Sequence, residues 1–341
     1  MAEMSYSDDI REVAELQLPW EKLDNSNILV AGATGLIGSC CVDVLMARPN
    51  RNYHVYAMGR NQRRMEKLFG KYQSDEGFHT IIGDVTKPLS IQQPIQYMIH
   101  AASGAAPSDF SSHPVEVVKA NINGVINLME YGLLHQMKRF LYISSGEVYG
   151  EGDGRVFTED YSGYVNCNTS RSCYPSSKRA AETLCASYAA EYGSDVVIAR
   201  PCHIYGPFFT ETDNRVYAQF IRNIIKGEDI VMKSSGEQFR SWCYVVDCVS
   251  ALLFILLKGS SGEAYNIADS ASVITIKQLS EMLAGIGRCE VVMEVPSDIE
   301  KRGYNPVSMS VFSIDKLECL GWSVSGTMKE KMTKTVNCLK K

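Results

Sequence analysis

The sequence predicts an α/β fold: a doubly wound parallel sheet with helices on both faces and a smaller C-terminal lobe. Three observations predict it. Six short runs rich in Ile, Val, Tyr or Ala are each followed by a helical pattern, and that alternation builds a parallel sheet covered on both sides. The first run leads straight into a glycine-rich turn, and polar motifs recur where later runs end. The carboxyl ends of parallel strands are where such sheets bind ligands. A chain of 341 residues, 45% hydrophobic and 21% charged, has an ordinary globular composition and the length to bury a core of that size.

Residues 1–26 read as an N-terminal extension in which Asp8 to Leu18 can form a short amphipathic helix ended by Pro19. Strands are expected at 27–32, 53–58, 78–82, 96–101, 139–145 and 195–200. After Arg200-Pro201 the pattern changes. Tyr205-Gly206-Pro207 interrupts the chain, and a helix at about 215–226 and a strand at about 229–233 follow. Residues 241–246 and a helix over 247–258 are expected to return to the main sheet. From about 262 the elements are short, such as Ala264-Tyr265-Asn266-Ile267-Ala268 and a helix over 275–286. The expected division is therefore an extension (1–26), a sheet domain (27–205 plus 237–260) and a smaller lobe (206–236 plus 261–341).

Bulk properties exclude several partners. A net charge of −5 and a pI near 5.8 give no basic footprint for nucleic acid or an anionic membrane. No apolar run approaches the ~20 residues of a membrane-spanning helix. Glu3, Asp8, Asp9 and Glu12 make the N-terminus unlike a signal peptide. Eleven cysteines, odd in number and without a CxxC, read as reduced thiols of a cytoplasmic protein, and no metal site is expected. Cys202, Cys243 and Cys248 read as core residues.

Gly32, Gly35 and Gly38 lie in GATGLIG, directly after Asn27–Ala31. Glycines let the turn run tight and let backbone approach a pyrophosphate, while the helix opening at Leu36 and Ile37 presents free N–H groups. Thr34 belongs to the same loop. The second strand ends Tyr56-Ala57-Met58-Gly59-Arg60-Asn61, with no acid to hold ribose hydroxyls as NAD sites do. Arg60 stands there instead, with Arg63 and Arg64 one turn on. An Arg at this point accommodates a 2′-phosphate, which favours NADP over NAD; the alternative is a solvated helix face. Asp84 and Val85 end the third strand, where a carboxylate can accept from an adenine amino group.

Tyr174 and Lys178 share one helix face in YPSSK. A phenol with a pKa of ~10 needs help to act as a base near neutrality, and a nearby ammonium favours the phenolate. Ser145, at the end of Arg139-Phe140-Leu141-Tyr142-Ile143-Ser144-Ser145, can hold a substrate oxygen. Together these groups suit removal of a hydroxyl proton while a hydride leaves the same carbon.

With these pieces the chain resembles the extended short-chain dehydrogenase/reductases, a Rossmann-like family of nucleotide-sugar epimerases, dehydratases and decarboxylases. The resemblance spans roughly residues 27–325 and rests on GATGLIG, Asp84, Ile99-His100-Ala101-Ala102, Asn121 in NINGVINLME, SSGEVYG, YPSSK, ARPCHIYGP and GEQFRSWCYVVD. It implies a recycled NAD or NADP, with Ala101 and Ala102 beside it and Asn121 supporting Lys178 through backbone and water. It implies a nucleotide-sugar substrate with its diphosphate on Arg240, and Ser103, His203 and Arg215 as further substrate contacts. A surface salt bridge is the plain alternative for Arg240, and a packed strand-end residue for His203. Members of the family commonly dimerise through two helices per subunit. The helix over 175–192, with Ala180, Ala181, Leu184, Ala186 and Ala189, is small-faced enough for a homodimer.

Glu147 narrows the reaction. In this family a Glu two residues after the catalytic Ser or Thr is typical of 4,6-dehydratases and UDP-glucuronate decarboxylases, and plain 4-epimerases usually lack it. A C4 ketone acidifies the C5–H, and a carboxylate there can remove that proton; the alternative is a polar strand-end residue. Glu159-Asp160-Tyr161, Arg171, Cys173-Tyr174, Lys178-Arg179 and Asp213-Asn214-Arg215-Val216 follow the decarboxylase pattern. Three departures matter, two from the decarboxylase pattern and one from that of the dehydratases. His203 replaces an Asn that faces the substrate in most of the family. Met309 takes the place of the Arg that holds the sugar carboxylate in decarboxylases, and Arg302 is out of register. Gly146 replaces the Asp that helps expel water in sugar-thymidine dehydratases, although Ser serves there in other dehydratases. Dehydration and decarboxylation both stay open, with 4-epimerisation behind them, and a ketone reductase or a non-catalytic NADP-binding scaffold further behind.

Overall fold

A computed structural model of the chain describes residues 5–211, 213–295 and 308–340. Seven strands form one parallel sheet in the order β3-β2-β1-β4-β5-β6-β10. They are β1 (Ser26–Ala31), β2 (Tyr53–Gly59), β3 (Phe78–Ile82), β4 (Tyr97–His100), β5 (Arg139–Ile143), β6 (Val196–Pro201) and β10 (Ala264–Ile267). The central strands are buried on both faces, which is why they read as apolar runs and not as alternations. Ile28 and Val30 of β1 join a core with helices α2 (Leu36–Ala47) and α8 (Val245–Lys258). Leu29 and Ala31 face the other way, onto a core shared with α5 (Pro114–Leu134) and α6 (Cys173–Tyr192). Helices α3 (Gln62–Phe69) and α4 (Pro107–Ser112) complete this half.

A second sheet centres on β9 (Phe239–Tyr244), flanked by β11 (Val273–Thr275), β13 (Met309–Ser310) and β7 (His203–Tyr205). A third pairs β8 (Ile230–Met232) with β12 (Val291–Met293), beside α7 (Val216–Lys226) and α9 (Ile276–Gly287).

Two expectations are corrected here. The strand expected at 241–246 does not return to the main sheet, for β9 lies wholly in the second one. The helix after it does return, since α8 packs beneath β5 and β6. The chain leaving α8 therefore reaches the sheet edge next to β6, so Ala264–Ile267, expected in the C-terminal lobe, becomes the seventh strand through a crossover.

The extension is anchored. Its helix α1 (Tyr6–Ala14) is shorter than the expected Asp8–Leu18, and Ile10, Val13 and Ala14 bury against α2, α8 and the last helix, α10 (Met328–Leu339). Lys334 of α10 lies 2.7 Å from Asp9, and Lys331 lies 2.7 Å from Asp247. The Tyr244 hydroxyl donates to Asp9 at 3.2 Å.

Candidate active site

The glycine loop runs from β1 into α2. Gly32 has φ +85°, and a Cβ there would lie 2.5 Å from the backbone nitrogen of Ala102. Only glycine lets the end of β1 press so closely on Ala101–Ala102 after β4. A Cβ on Gly38 would collide with the Gly32 carbonyl, so the first turn of α2 sits directly on the loop. Gly35 caps α2, and a Cβ there would meet only the Gly32 oxygen, at 3.4 Å. The space before the free N–H groups of Leu36 and Ile37 is thus open, and the loop fits a dinucleotide pyrophosphate.

Arg60 is 76% exposed at the end of β2, with Nη1 3.9 Å from the Asp84 carboxylate. Asp84 Oδ1 accepts from the Thr86 N–H at 2.9 Å, and the Val85 carbonyl accepts from Asn127 at 2.8 Å. Arg64 serves a different purpose from Arg60. It donates to the Thr34 carbonyl at 2.9 Å and to the Phe208 carbonyl at 3.0 Å, tying the glycine loop to the segment after β7.

Ser145 follows β5 and accepts the Glu147 N–H at 3.2 Å, capping the short turn Gly146–Tyr149. Ser145 stands close enough to the Tyr174 phenol to favour its ionised form. Burial pushes the Tyr174 phenol up to about 12, and Glu147 adds to the rise, while Ser145, Arg215 and Arg171 oppose it. Lys178 is buried one turn on, donating to the Ile143 carbonyl at 2.7 Å, with Nζ 5.7 Å from the Tyr174 ring centre. Burial lowers its ammonium to about 7. Asn121 donates to Ser177 at 2.9 Å, and its Oδ1 is buried without a partner among the described residues. His100 is driven down to about 3 by burial, with the charge of Lys178 adding to the fall.

On the other side of the cleft, His203 of β7 packs on Trp242 with ring centres 5.3 Å apart. Its Nδ1 is buried without a hydrogen-bond partner among the described residues. Burial, then Arg240, then Arg215 lower its pKa to about 3, so the ring is neutral at ordinary pH. Arg240 is 4% exposed and donates to the Phe239 carbonyl at 2.8 Å. Burial lowers it to about 10, against the charge of Glu147. Arg215 pairs with Asp213 and contacts the Tyr217 hydroxyl at 3.2 Å. The expected residues thus converge: Ser145, Glu147, Tyr174 and Lys178 on one wall, and His203, Arg215 and Arg240 on the other. Ser103, just after Ala101–Ala102, donates to the adjacent Gly104 carbonyl at 3.4 Å. Arg302 lies outside the described residues.

Three features of the wall were not assigned from sequence. Phe110 of α4 stacks on the Tyr174 ring, with centroids 4.8 Å apart. Arg171 pairs with Glu147 at 2.7 Å. Phe312 packs against Gly146 where a side chain would stand. Arg171 sits three residues before Tyr174 and was visible as part of a pattern. Phe110 and Phe312 carry no local signal.

The family model for "NAD dependent epimerase/dehydratase family" matches residues 28–268. The UDP-glucuronic acid decarboxylase 1 of Xenopus tropicalis is 30% identical over 324 residues, 93% of this chain and 73% of that protein. The UDP-glucuronic acid decarboxylase 6 of Arabidopsis thaliana is 32% identical over 307 residues, 90% of this chain and 86% of that protein. Among solved structures, UDP-glucose 4-epimerase of Thermotoga maritima superposes with a TM-score of 0.78 at 24% identity, covering 92% of this chain and 98% of that one. The dTDP-glucose 4,6-dehydratase DesIV of Streptomyces venezuelae gives 0.80 at 21% identity, covering 91% and 96%. At those identities the structures speak for the fold alone. The matched model covers most of the chain, its two motif-bearing strand ends included, and the chain belongs to the NAD dependent epimerase/dehydratase family.

Proposed function

We propose that this enzyme decarboxylates a UDP-hexuronate, UDP-glucuronate in the first instance, through transient oxidation at C4. A bound nicotinamide dinucleotide supplies hydride acceptance and return. Tyr174 takes the C4 hydroxyl proton, helped by the Lys178 ammonium, while Ser145 holds the oxygen. With C4 a ketone, the C6 carboxylate belongs to a β-keto acid. Cleavage of the C5–C6 bond releases carbon dioxide and leaves the electron pair spread over C5, C4 and the oxygen at Ser145 and Tyr174. Glu147 delivers a solvent-derived proton to C5, and reduction of C4 returns the Tyr174 proton to oxygen.

The observation that carries this reading is the pairing of Glu147 with a glycine at 146. Dehydratases place an Asp or a Ser there to help expel the C6 hydroxyl. A Cβ on Gly146 would lie within 2.8 Å of Phe312 Cε1, so neither side chain fits there unless that ring moves. Phe312 is held by ring contacts with Tyr149 (5.6 Å) and Phe157 (5.8 Å). Loss of carbon dioxide needs no such group. The decarboxylase names of the two curated relatives point the same way.

Arg60, exposed and without an acidic replacement at the end of β2, is assigned to a 2′-phosphate, making NADP the preferred cofactor. A homodimer through α5 and α6 is also proposed, since α5 leaves Val115, Val118 and Leu134 exposed; a monomer by gel filtration at micromolar protein removes it. Mass spectrometry of UDP-glucuronate after incubation with enzyme and each cofactor tests the main reading. Loss of carbon dioxide is the expected result. Loss of water from UDP-glucose or dTDP-glucose would make it a dehydratase, and an isomer of unchanged mass an epimerase.

A further inference from the structure

Arg171 is the best-placed cation near Glu147, and most of its donors are unused. It lies in the short turn Ser170–Ser172, immediately before α6. Its guanidinium lies 4.6 Å over the Phe110 ring, and Phe110 stacks in turn on Tyr174. Phe110 is 3% exposed, so this three-layer stack is fixed from below. One nitrogen, Nη2, is 2.7 Å from Glu147 Oε1. Nε is buried without an acceptor among the described residues. Nη1 donates to no described residue and is not enclosed as Nε is. A guanidinium has five N–H donors in a planar fork suited to carboxylates, and Glu147 engages one corner of this one.

A ligand carboxylate entering here would meet the charge of Glu147. Two carboxylates share a half-buried site only when a cation lies between them or one takes a proton. The neighbouring arginines are already committed: Arg215 to Asp213 and Tyr217, and Arg240 to the Phe239 carbonyl beside His203. Arg171 instead keeps Nη1 open beside the Nη2 that holds Glu147.

We propose that Arg171 is the receptor for the substrate's sugar carboxylate, docked on its Nη1 edge, with Glu147 retained on Nη2. The guanidinium then separates the two acids and holds the carboxylate beside the reacting carbons. The proposal rests on the hexuronate reading above and names the group that selects an acid over a neutral sugar.

The test is binding of UDP-glucuronate, UDP-glucose and UDP by calorimetry. It uses cofactor-loaded enzyme in a Tyr174→Phe background, so that nothing turns over. Arg171→Gln should weaken UDP-glucuronate at least about tenfold, as expected for lost charge-assisted hydrogen bonds, and leave UDP-glucose and UDP within about twofold. Arg171→Lys should recover part of the loss. Glu147→Gln, which removes the competing acid, should tighten UDP-glucuronate and not UDP-glucose. Equal weakening of both sugars, or no weakening of either, overturns the proposal. Binding of UDP-glucose but not UDP-glucuronate by enzyme with Arg171 intact overturns it and leaves a neutral nucleotide sugar as substrate. Binding of neither sugar overturns it together with the nucleotide-sugar reading.

Discussion

The clasp between the two chain ends and the cleft around Tyr174 both bury charge, and they treat it in opposite ways. In the clasp each charge meets its opposite: Lys334 with Asp9, Lys331 with Asp247, and Tyr244 on Asp9. In the cleft Lys178 has no carboxylate at ion-pair distance among the described residues and leans on the Ile143 carbonyl. Asn121 Oδ1, His100 Nε2, Arg171 Nε and His203 Nδ1 lie around it without partners. Buried polar groups are normally satisfied. A cluster of unsatisfied ones beside shifted titrating groups marks a place built for a ligand, and a satisfied cluster marks cohesion.

Substitutions in the two regions can break that contrast. Tyr174→Phe should lower turnover by about three orders of magnitude or more, the range of a lost general base, with the unfolding midpoint nearly unchanged. Lys331→Met leaves the half-buried Asp247 carboxylate unpaired and should cost about 1–3 kcal/mol of stability, while turnover per folded molecule holds. Denaturant unfolding and initial rates on both variants settle the matter. If Lys331→Met also lost its turnover, the clasp would belong to the site.

The pH dependence sharpens it further. Lys178 is held near 7 in the folded protein, against ~10.4 in an unfolded chain. The folded value is the lower one, so the unfolded chain binds more protons between these values. The stability this produces is present above the unfolded pKa and is lost as pH falls through about 7. Relative to Lys178→Met, the wild type should therefore gain stability between about pH 7 and ~10.4, by no more than ~1.4 kcal/mol per unit. A pH-independent difference would mean Lys178 is not desolvated. Asp247 behaves oppositely. Burial raises it to about 6, so its contribution is present at low pH and lost as pH rises through that value.

Smaller effects lie at the rims of the cleft. Gly146→Ala drives a methyl into Phe312 and should destabilise by about 1–3 kcal/mol without creating water-elimination activity. Arg60→Ala should weaken NADPH about tenfold, the worth of one charge-assisted contact, and leave NADH alone. Equal weakening of both would remove the 2′-phosphate assignment.

Much of this site was legible because its signals are local. GATGLIG, Ser145 at a strand end and the Tyr174–Lys178 spacing each fall within one turn or one strand, and the first six strands lie within two residues of their expected bounds. What escaped depends on distant pairing. Asp9 and Lys334 are 325 residues apart in sequence, and neither carries a mark of burial. The edge place of β10 follows from the return of α8 and not from its own four residues. Phe312 reaches Gly146 from beyond the second sheet, and Phe110 reaches Tyr174 from a six-residue helix. The residues that pack on Gly146 and Tyr174 come from the parts of the chain with the weakest local pattern.

The proposed chemistry turns on C4 being oxidised and reduced again on one enzyme-bound cofactor. UDP-glucuronate carrying deuterium at C4 tests it most directly. The decarboxylated product should keep its deuterium at C4, with no labelled reduced cofactor accumulating in solution. Deuterium lost to free cofactor or to water, or absent from C4 in the product, would contradict it.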